Sequence, residues 1–232
     1  FMDIQLHYTK QGSGPPLVLL HGNGEDSSYF AHQIEDFSKD FTVYALDTRG
    51  HGQSPRGTAP FTISQFADDL LAFLDSEGLE RPDLLGFSDG GNIALTFALR
   101  HGDRVGRLVL NGANLSPSGV KPSVQIPIVL GYHMASLFPG EKARHNADLL
   151  RLMVKEPHID PAELKQLTMP VLVIVGDRDM IRPDHSRLIA EHIPGAKFVE
   201  LPGDHFIASK SPEAFNRAVR AFFRETEQMS KE

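Results

Sequence analysis

A serine lies between two glycines in the stretch Gly86-Phe87-Ser88-Asp89-Gly90, directly after an apolar run that ends at Leu85. An apolar strand, a tight turn and a helix, in that order, form the context in which a strained turn exposes a serine hydroxyl as a nucleophile. Glycine at positions 86 and 90 leaves room around such a turn. The start of the following helix offers unpaired N–H groups and a partial positive charge, which suit an oxyanion. The spacing therefore predicts nucleophilic chemistry at Ser88.

A serine hydroxyl is a weak nucleophile until a base within hydrogen-bond reach takes its proton. The chain has 11 histidines, and His205 stands in a Gly-Asp-His turn after the last predicted strand. We predict that His205 is this base. The base needs a carboxylate that fixes its tautomer, and both Asp177 and Asp179 follow a predicted strand. A metal at these two carboxylates is disfavoured because no third ligand stands at regular spacing.

Composition excludes several other kinds of chemistry. The 232 residues contain no internal repeat and suit one domain, with or without an insertion. Lys and Arg number 23 against 30 Asp and Glu, for a net charge of −7, so nucleic acid and anionic membranes are poor partners. Cysteine is absent, which excludes disulfides and thiolate chemistry. There is no apolar run of membrane-spanning length and no signal-peptide pattern, and Phe1 reads as a remnant before a natural start at Met2. We expect a cytoplasmic protein without a metal or other cofactor.

Strands and helices alternate along most of the chain, which predicts a mostly parallel sheet covered by helices on both faces. Short continuous apolar runs are typical of strands buried on both faces. They stand at 17–20, 43–46, 107–112, 171–176 and 197–201, beside the run that ends at Leu85, and residues 4–10 read as an edge strand. Between Ala113 and Met169 no clear strand is found. Helices are predicted there over 128–138, 141–154 and 161–167, so we expect a core of residues 1–112 and 170–232 with a helical lid of residues 113–169.

These motifs together resemble the α/β hydrolases, in particular the small lid-bearing esterases and lipases. The resemblance spans nearly the whole chain and is carried by His21-Gly22, Asp47-x-Arg49-Gly50-His51-Gly52-x-Ser54, the serine turn, Gly176-x-x-Asp179 and Gly203-Asp204-His205. It implies the α/β-hydrolase fold, with the lid after the family's sixth strand and with structural roles for His21 and His51. The short N-terminal segment implies that the family's first antiparallel strand is missing or fused with the second.

The same resemblance implies the roles of individual residues. The Gly-x-x-Asp pattern favours Asp179 over Asp177 as the carboxylate of a Ser88, His205 and Asp179 triad. Two backbone N–H groups, those of Asn23 and Asp89, are expected to form the oxyanion hole. The Asn23 side chain is as well explained as a turn former.

We expect a serine hydrolase that cleaves a small-molecule carboxylic ester, thioester or lactone through an acyl-enzyme. Epoxide hydrolases and haloalkane dehalogenases carry Asp where this chain has Ser88. Three alternatives stay open: another reaction of the same triad (acyl transfer, C–C hydrolysis, lyase or perhydrolase chemistry), a receptor that traps its ligand, and a non-catalytic scaffold.

Two expectations concern substrate binding. Within the predicted lid, Tyr132, His133, Met134 and Phe138, with Leu137, could line the pocket or could simply pack the helix. The Ser-Asp-Gly-Gly turn resembles that of valacyclovirase-like amino-acid-ester hydrolases, in which the residue after the nucleophile binds the substrate amine. Asp89 therefore either binds a substrate ammonium or turns away to pair with an Arg, a Lys or a backbone donor.

Overall fold

The computed structural model describes residues 3–229, so Phe1 and Met2, which bear on the expected start of the chain, lie outside the described residues. Within this range one sheet of seven strands organises the protein, in the order β1-β3-β2-β4-β5-β6-β7. The strands are β1 (Tyr8–Gln11), β2 (Pro16–Leu20), β3 (Thr42–Leu46), β4 (Asp83–Phe87), β5 (Leu108–Asn111), β6 (Val171–Gly176) and β7 (Lys197–Leu201).

Strands β2 to β7 run parallel to one another, and β1 at the edge pairs antiparallel with β3. The edge strand was predicted over residues 4–10. The observed strand, β1, begins four residues later and ends one residue later, because residues 4–7 are not part of the sheet. The described sheet thus has one antiparallel strand, β1, at its edge, and whether the family's first strand is missing or fused with β1 stays a prediction. Because the other six strands are parallel, their carboxyl ends and the loops that follow them lie along one edge of the sheet.

Eight α-helices occur in the described range: α1 (Ala31–Phe37), α2 (Ile63–Ser76), α3 (Asp89–Arg100), α4 (Pro122–Ser136), α5 (Glu141–Lys155), α6 (Pro183–His192), α7 (Ile207–Lys210) and α8 (Pro212–Met229). They cover both faces of the sheet. Along β2, Val18 and Leu20 pack on the side of α2 and α3, whereas Leu17 and Leu19 pack on the side of α1 and α8. This alternation within a continuous apolar run is what a strand buried on both faces requires.

The segment between β5 and β6 contains α4 and α5, and its helices differ in part from those predicted. Helix α4 begins at Pro122, six residues earlier than expected, and contains Pro127. Proline is favoured in the first turn of a helix, and Pro127 removes one hydrogen bond without ending this helix. Helix α5 matches its prediction to within a residue, and residues 161–166 form a 3-10 helix. The division into a core and a lid stays a prediction.

Two short helices were not predicted. Helix α1 follows a 3-10 turn at Ser27–Phe30, and α7 follows the His205 turn. Both are too short for a helical hydrophobic period to stand out in the sequence. Among the helices described, none is both long and apolar enough to cross a membrane. The cytoplasmic location expected from the sequence stays a prediction.

Candidate active site

Ser88 lies between the end of β4 and the start of α3, in a strained backbone conformation with φ 55° and ψ −121°. Among the residues described, it is the only non-glycine with positive φ. A side chain at Gly86 would collide with the Gly90 carbonyl, and one at Gly90 would collide with the Leu20 carbonyl. The two glycines therefore let β4, α3 and β2 approach closely enough to hold Ser88 in this turn.

His205 and Asp179 form a buried pair at the ends of β7 and β6. His205 Nδ1 lies 2.7 Å from Asp179 Oδ1, which also accepts a hydrogen bond from the Ile181 amide at 3.0 Å. An ionised carboxylate only accepts hydrogen bonds, so Nδ1 carries the proton and Nε2 is left free to act as a base. Asp177 is exposed and instead accepts from the Gly203 amide at 2.9 Å. Of the two carboxylates that the sequence left open, Asp179 is the one beside the histidine.

Neighbouring strand ends bring His205 towards Ser88. The Ser88 amide donates to the Asn111 carbonyl of β5 at 2.9 Å, and the next residue, Gly112, lies against the imidazole. A Cβ at Gly112 would stand 2.6 Å from His205 Cε1, and the Phe87 and His205 ring centres are 4.7 Å apart. Within residues 3–229, no hydrogen bond joins Ser88 to His205. Such bonds are often long before substrate binds.

The loop after β2 holds Asn23, the second expected oxyanion residue. Asn23 Nδ2 donates to Asp89 Oδ2 at 2.9 Å and to the Leu149 carbonyl of α5 at 2.7 Å, so the side chain does more than form a turn. The Gly24 amide donates to His51 Nε2 at 3.1 Å, which fixes the same loop. The N–H of Asp89 belongs to the first residue of α3, where backbone N–H groups have no partner within the helix.

The two histidines that were expected to be structural, His21 and His51, are both buried, and each accepts a hydrogen bond from a backbone amide. His21 Nε2 accepts from the Thr48 amide at 3.0 Å, and His51 ties the Asn23 loop through Gly24. Burial lowers the pKa of His21, and burial also lowers the pKa of His51 to about 4. Both imidazoles are therefore neutral near pH 7, as their acceptor roles require.

The Asp89 side chain has partners that the sequence analysis did not foresee. It is 8% exposed, and its carboxylate accepts hydrogen bonds from the side-chain amides of Asn23 and, at 3.5 Å, Asn92. These are amides rather than the Arg, Lys or backbone donor that we expected for an Asp89 turned away from substrate. Burial raises the pKa of Asp89 to about 6, against the hydrogen bond from Asn23, which lowers it.

Glu25 and Tyr29 also lie beside this site and were not predicted, because Glu25 stands in a loop and Tyr29 in a short 3-10 turn, and neither carries a periodic signal. Tyr29 stacks on Phe87 with ring centres 4.5 Å apart. Glu25 Oε2 and the Tyr29 hydroxyl are buried without a hydrogen-bond partner among the described residues, and burial raises the pKa of Glu25 to about 7. The two residues border a groove of about 480 Å³, whose other wall includes Phe206, directly after the histidine.

The four expected pocket residues of the segment between β5 and β6 lie on or just after α4. Tyr132 is half-buried, and the other three, His133, Met134 and Phe138, are exposed. Among the described residues, no hydrogen bond or ring contact joins any of the four to Ser88, Asp179 or His205. Their role in substrate binding therefore stays a prediction.

Comparison with known proteins agrees with this fold. A family model described as "alpha/beta hydrolase fold" matches residues 15–135, and a second, described as "Serine hydrolase (FSH1)", matches residues 80–214. The chain belongs to the α/β-hydrolase fold family. This hydrolase is 31% identical over 240 residues to the protein named "Putative carbamate hydrolase RutD" from Caulobacter sp. (strain K31), with 89% of each chain covered.

Solved structures resemble the hydrolase along almost its whole length. The enol-lactonase from Burkholderia xenovorans LB400 superposes with a TM-score of 0.81 at 27% identity, with 95% of this chain and 97% of that chain covered. A thermophilic esterase from Thermogutta terrifontis superposes with a TM-score of 0.79 at 25% identity, with 96% and 94% covered.

Proposed function

We propose that this hydrolase cleaves a carboxylic ester, thioester or lactone through a triad of Ser88, His205 and Asp179. The observation that carries the proposal is the buried 2.7 Å bond between His205 Nδ1 and Asp179 Oδ1, at the sheet edge where Ser88 occupies its strained turn. That bond leaves Nε2 as the only basic atom of the imidazole.

The proposed reaction has two halves. In the first, His205 Nε2 takes the Ser88 proton while Oγ bonds to the carbonyl carbon, and the resulting oxyanion accepts from the N–H groups of Asn23 and Asp89. Collapse of this tetrahedral intermediate breaks the bond from the carbonyl carbon to the leaving oxygen or sulfur, which receives the proton from His205. In the second half, water gives a proton to Nε2 and adds to the acyl carbon, and the bond from that carbon to Ser88 Oγ then breaks as Oγ takes the proton back from Nε2.

A fluorophosphonate probe tests for the nucleophile, and a panel of p-nitrophenyl esters of rising chain length tests the reaction. We expect stoichiometric phosphonylation of Ser88, located by mass spectrometry, with sustained turnover of at least one ester or lactone. A burst of one equivalent without turnover would favour a ligand-trapping receptor. Absence of labelling would favour a scaffold. Product formation only with an added alcohol or amine acceptor would favour acyl transfer.

Carbamates form a second candidate substrate class, because the relative from Caulobacter carries a carbamate hydrolase name at 31% identity. A carbamate presents a carbonyl to the same nucleophile and would form a carbamoyl-enzyme in place of an acyl-enzyme. Comparing kcat/KM for an aryl carbamate with that for the matching aryl ester ranks the two classes directly.

The expected pocket residues enter the proposal as substrate contacts, with the segment of residues 113–169 as a lid. Asp89 is proposed to bind a substrate ammonium, because a buried carboxylate satisfied only by neutral amides retains affinity for a cation. Native protein should then prefer a valine ester over its des-amino analogue, and Asp89→Asn should abolish that preference. Equal kcat/KM values for the two esters would remove this part of the proposal.

A further inference from the structure

An apolar stripe runs along α4 and just past its end. Its five members, the apolar stripe from here on, are 59–82% exposed: Ile126, Leu130, Met134, Leu137 and Phe138. The spacing of four residues places Ile126, Leu130 and Met134 on one side of the helix, and Leu137 and Phe138 follow directly after its last residue. Large apolar side chains scattered singly over a surface need no explanation, but a continuous stripe of them does.

The opposite side of α4 is already occupied. A Cβ at Gly131 would contact Leu150 of α5 at 3.7 Å, and Gln125 Nε2 donates to the Met153 carbonyl at 3.1 Å. The stripe therefore faces away from α5. No residue of α4 is fully buried, so the helix rests on α5 by one side and leaves its other side without cover.

The exposed area is of the size that an association requires. If a fully exposed side chain of this size presents about 200 Å², the stripe presents about 650 Å². That area is at or above the largest patch of a typical monomer, roughly 300–600 Å². Two such stripes placed against each other would bury about 1,300 Å², which lies within the range of roughly 1,200–2,000 Å² for a stable interface.

Charge favours a second copy of this chain as the occupant. Residues 122–139 contain no Asp, Glu, Lys or Arg, so two copies of α4 meet without like-charge repulsion although the chain carries −7. The same net charge opposes an anionic lipid surface, and a stripe without charges has nothing with which to select a charged partner. A two-fold axis brings the same patch of both partners together, so the patch must be complementary to itself. A uniformly apolar stripe meets this requirement.

We propose that this hydrolase forms a homodimer in which the apolar stripes of two copies pack against each other across a two-fold axis. The axis passes near the middle of the stripe, between Leu130 and Met134. The inference does not depend on which reaction the triad catalyses, but for Met134 and Phe138 it is the rival of the pocket role proposed above, and the chain-length preference of variants at these two positions distinguishes the two roles.

Sedimentation equilibrium of the full chain at 1–100 µM tests the proposal, with Leu130→Glu and Leu137→Glu as disrupting variants. Asn146→Glu is the matched control, because it adds the same charge to an exposed position on α5. We expect a dimer for native protein and the control, and at least about tenfold weaker association for each stripe variant. Circular dichroism checks that all four proteins are folded. Because the chain lacks cysteine, Met134→Cys with a short bismaleimide should also give cross-linked dimers, and Asn146→Cys should not.

A native protein that is monomeric at 100 µM would overturn the proposal, as would a dimer that both stripe variants leave intact. Co-sedimentation of monomers with phosphatidylcholine vesicles, lost in Leu130→Glu, would also overturn it and assign the stripe to a lipid surface.

Discussion

Replacing Asp179 by asparagine separates charge from geometry in the proposed triad. In the native structure Asp179 Oδ1 accepts from both His205 Nδ1 and the Ile181 amide, whereas Oδ2 has no partner among the described residues. An asparagine oxygen in the Oδ1 position keeps both hydrogen bonds. The flipped amide would face two donors with its own NH₂ group, so it is disfavoured. The histidine tautomer is therefore retained, and the change removes only the negative charge beside the imidazolium that forms during reaction.

The size of the loss follows from that charge. Two unit charges about 4 Å apart attract by about 4 kcal/mol at an effective dielectric constant of 20, which corresponds to roughly a thousandfold in rate. Asp179→Asn should thus lower kcat/KM about 10³-fold. Asp177→Asn should lower it less than about threefold, because an asparagine oxygen still accepts from the Gly203 amide.

The assay is kcat/KM on the best p-nitrophenyl ester for native protein and both variants, with thermal unfolding as a check on folding. Equal losses, or a larger loss for Asp177→Asn, would refute the assignment of Asp179. A loss above about 10⁵-fold in a folded Asp179→Asn protein would refute the argument that the tautomer is retained.

Four further outcomes are expected. Ser88→Ala should lower ester turnover at least about 10³-fold without changing the unfolding temperature, and more than a tenth of native activity would contradict its role. Gly112→Ala should lower both kcat/KM and the unfolding temperature, because φ is +66° and the methyl group would press on the imidazole; unchanged values for both would show that the turn adapts. Replacing Met134 or Phe138 with glutamine should alter chain-length preference more than kcat on the best ester, and an unchanged preference profile for both would remove them from the pocket. The free energy of unfolding of Asp89→Asn minus that of native protein should increase by roughly 1–3 kcal/mol from pH 4 to pH 7, as measured by urea unfolding at both pH values. The native carboxyl has a folded pKa of about 6, above its unfolded value of 3.8, so native protein loses stability as pH rises through that interval; a pH-independent difference would contradict this.

The strands and the serine turn were predictable because each depends on local sequence. A buried parallel strand is a continuous apolar run, and the turn needs glycine at two fixed positions beside Ser88. The candidate site was less predictable because its contacts join distant segments. Nothing in the sequence near Asp89 shows that the Asn23 and Asn92 amides will solvate its carboxylate. The start of α4 was predicted six residues too late, and Pro122 and Pro127 both lie in the part that was missed; Pro122 occupies the first turn, where a helix tolerates proline.

Asn23 connects three parts of the protein that the sequence analysis treated separately. Its backbone belongs to the expected oxyanion loop, and its side-chain amide divides its two donors between Asp89 at the serine turn and the Leu149 carbonyl of α5. An amide has two N–H donors, so both are satisfied and the side chain has little freedom to rotate. Helix α5 in turn carries α4 and the apolar stripe. A shift of α5, whether caused by a substrate or by a second copy of the chain, would therefore act on the expected oxyanion loop, because only the Asn23 side chain separates that loop from α5.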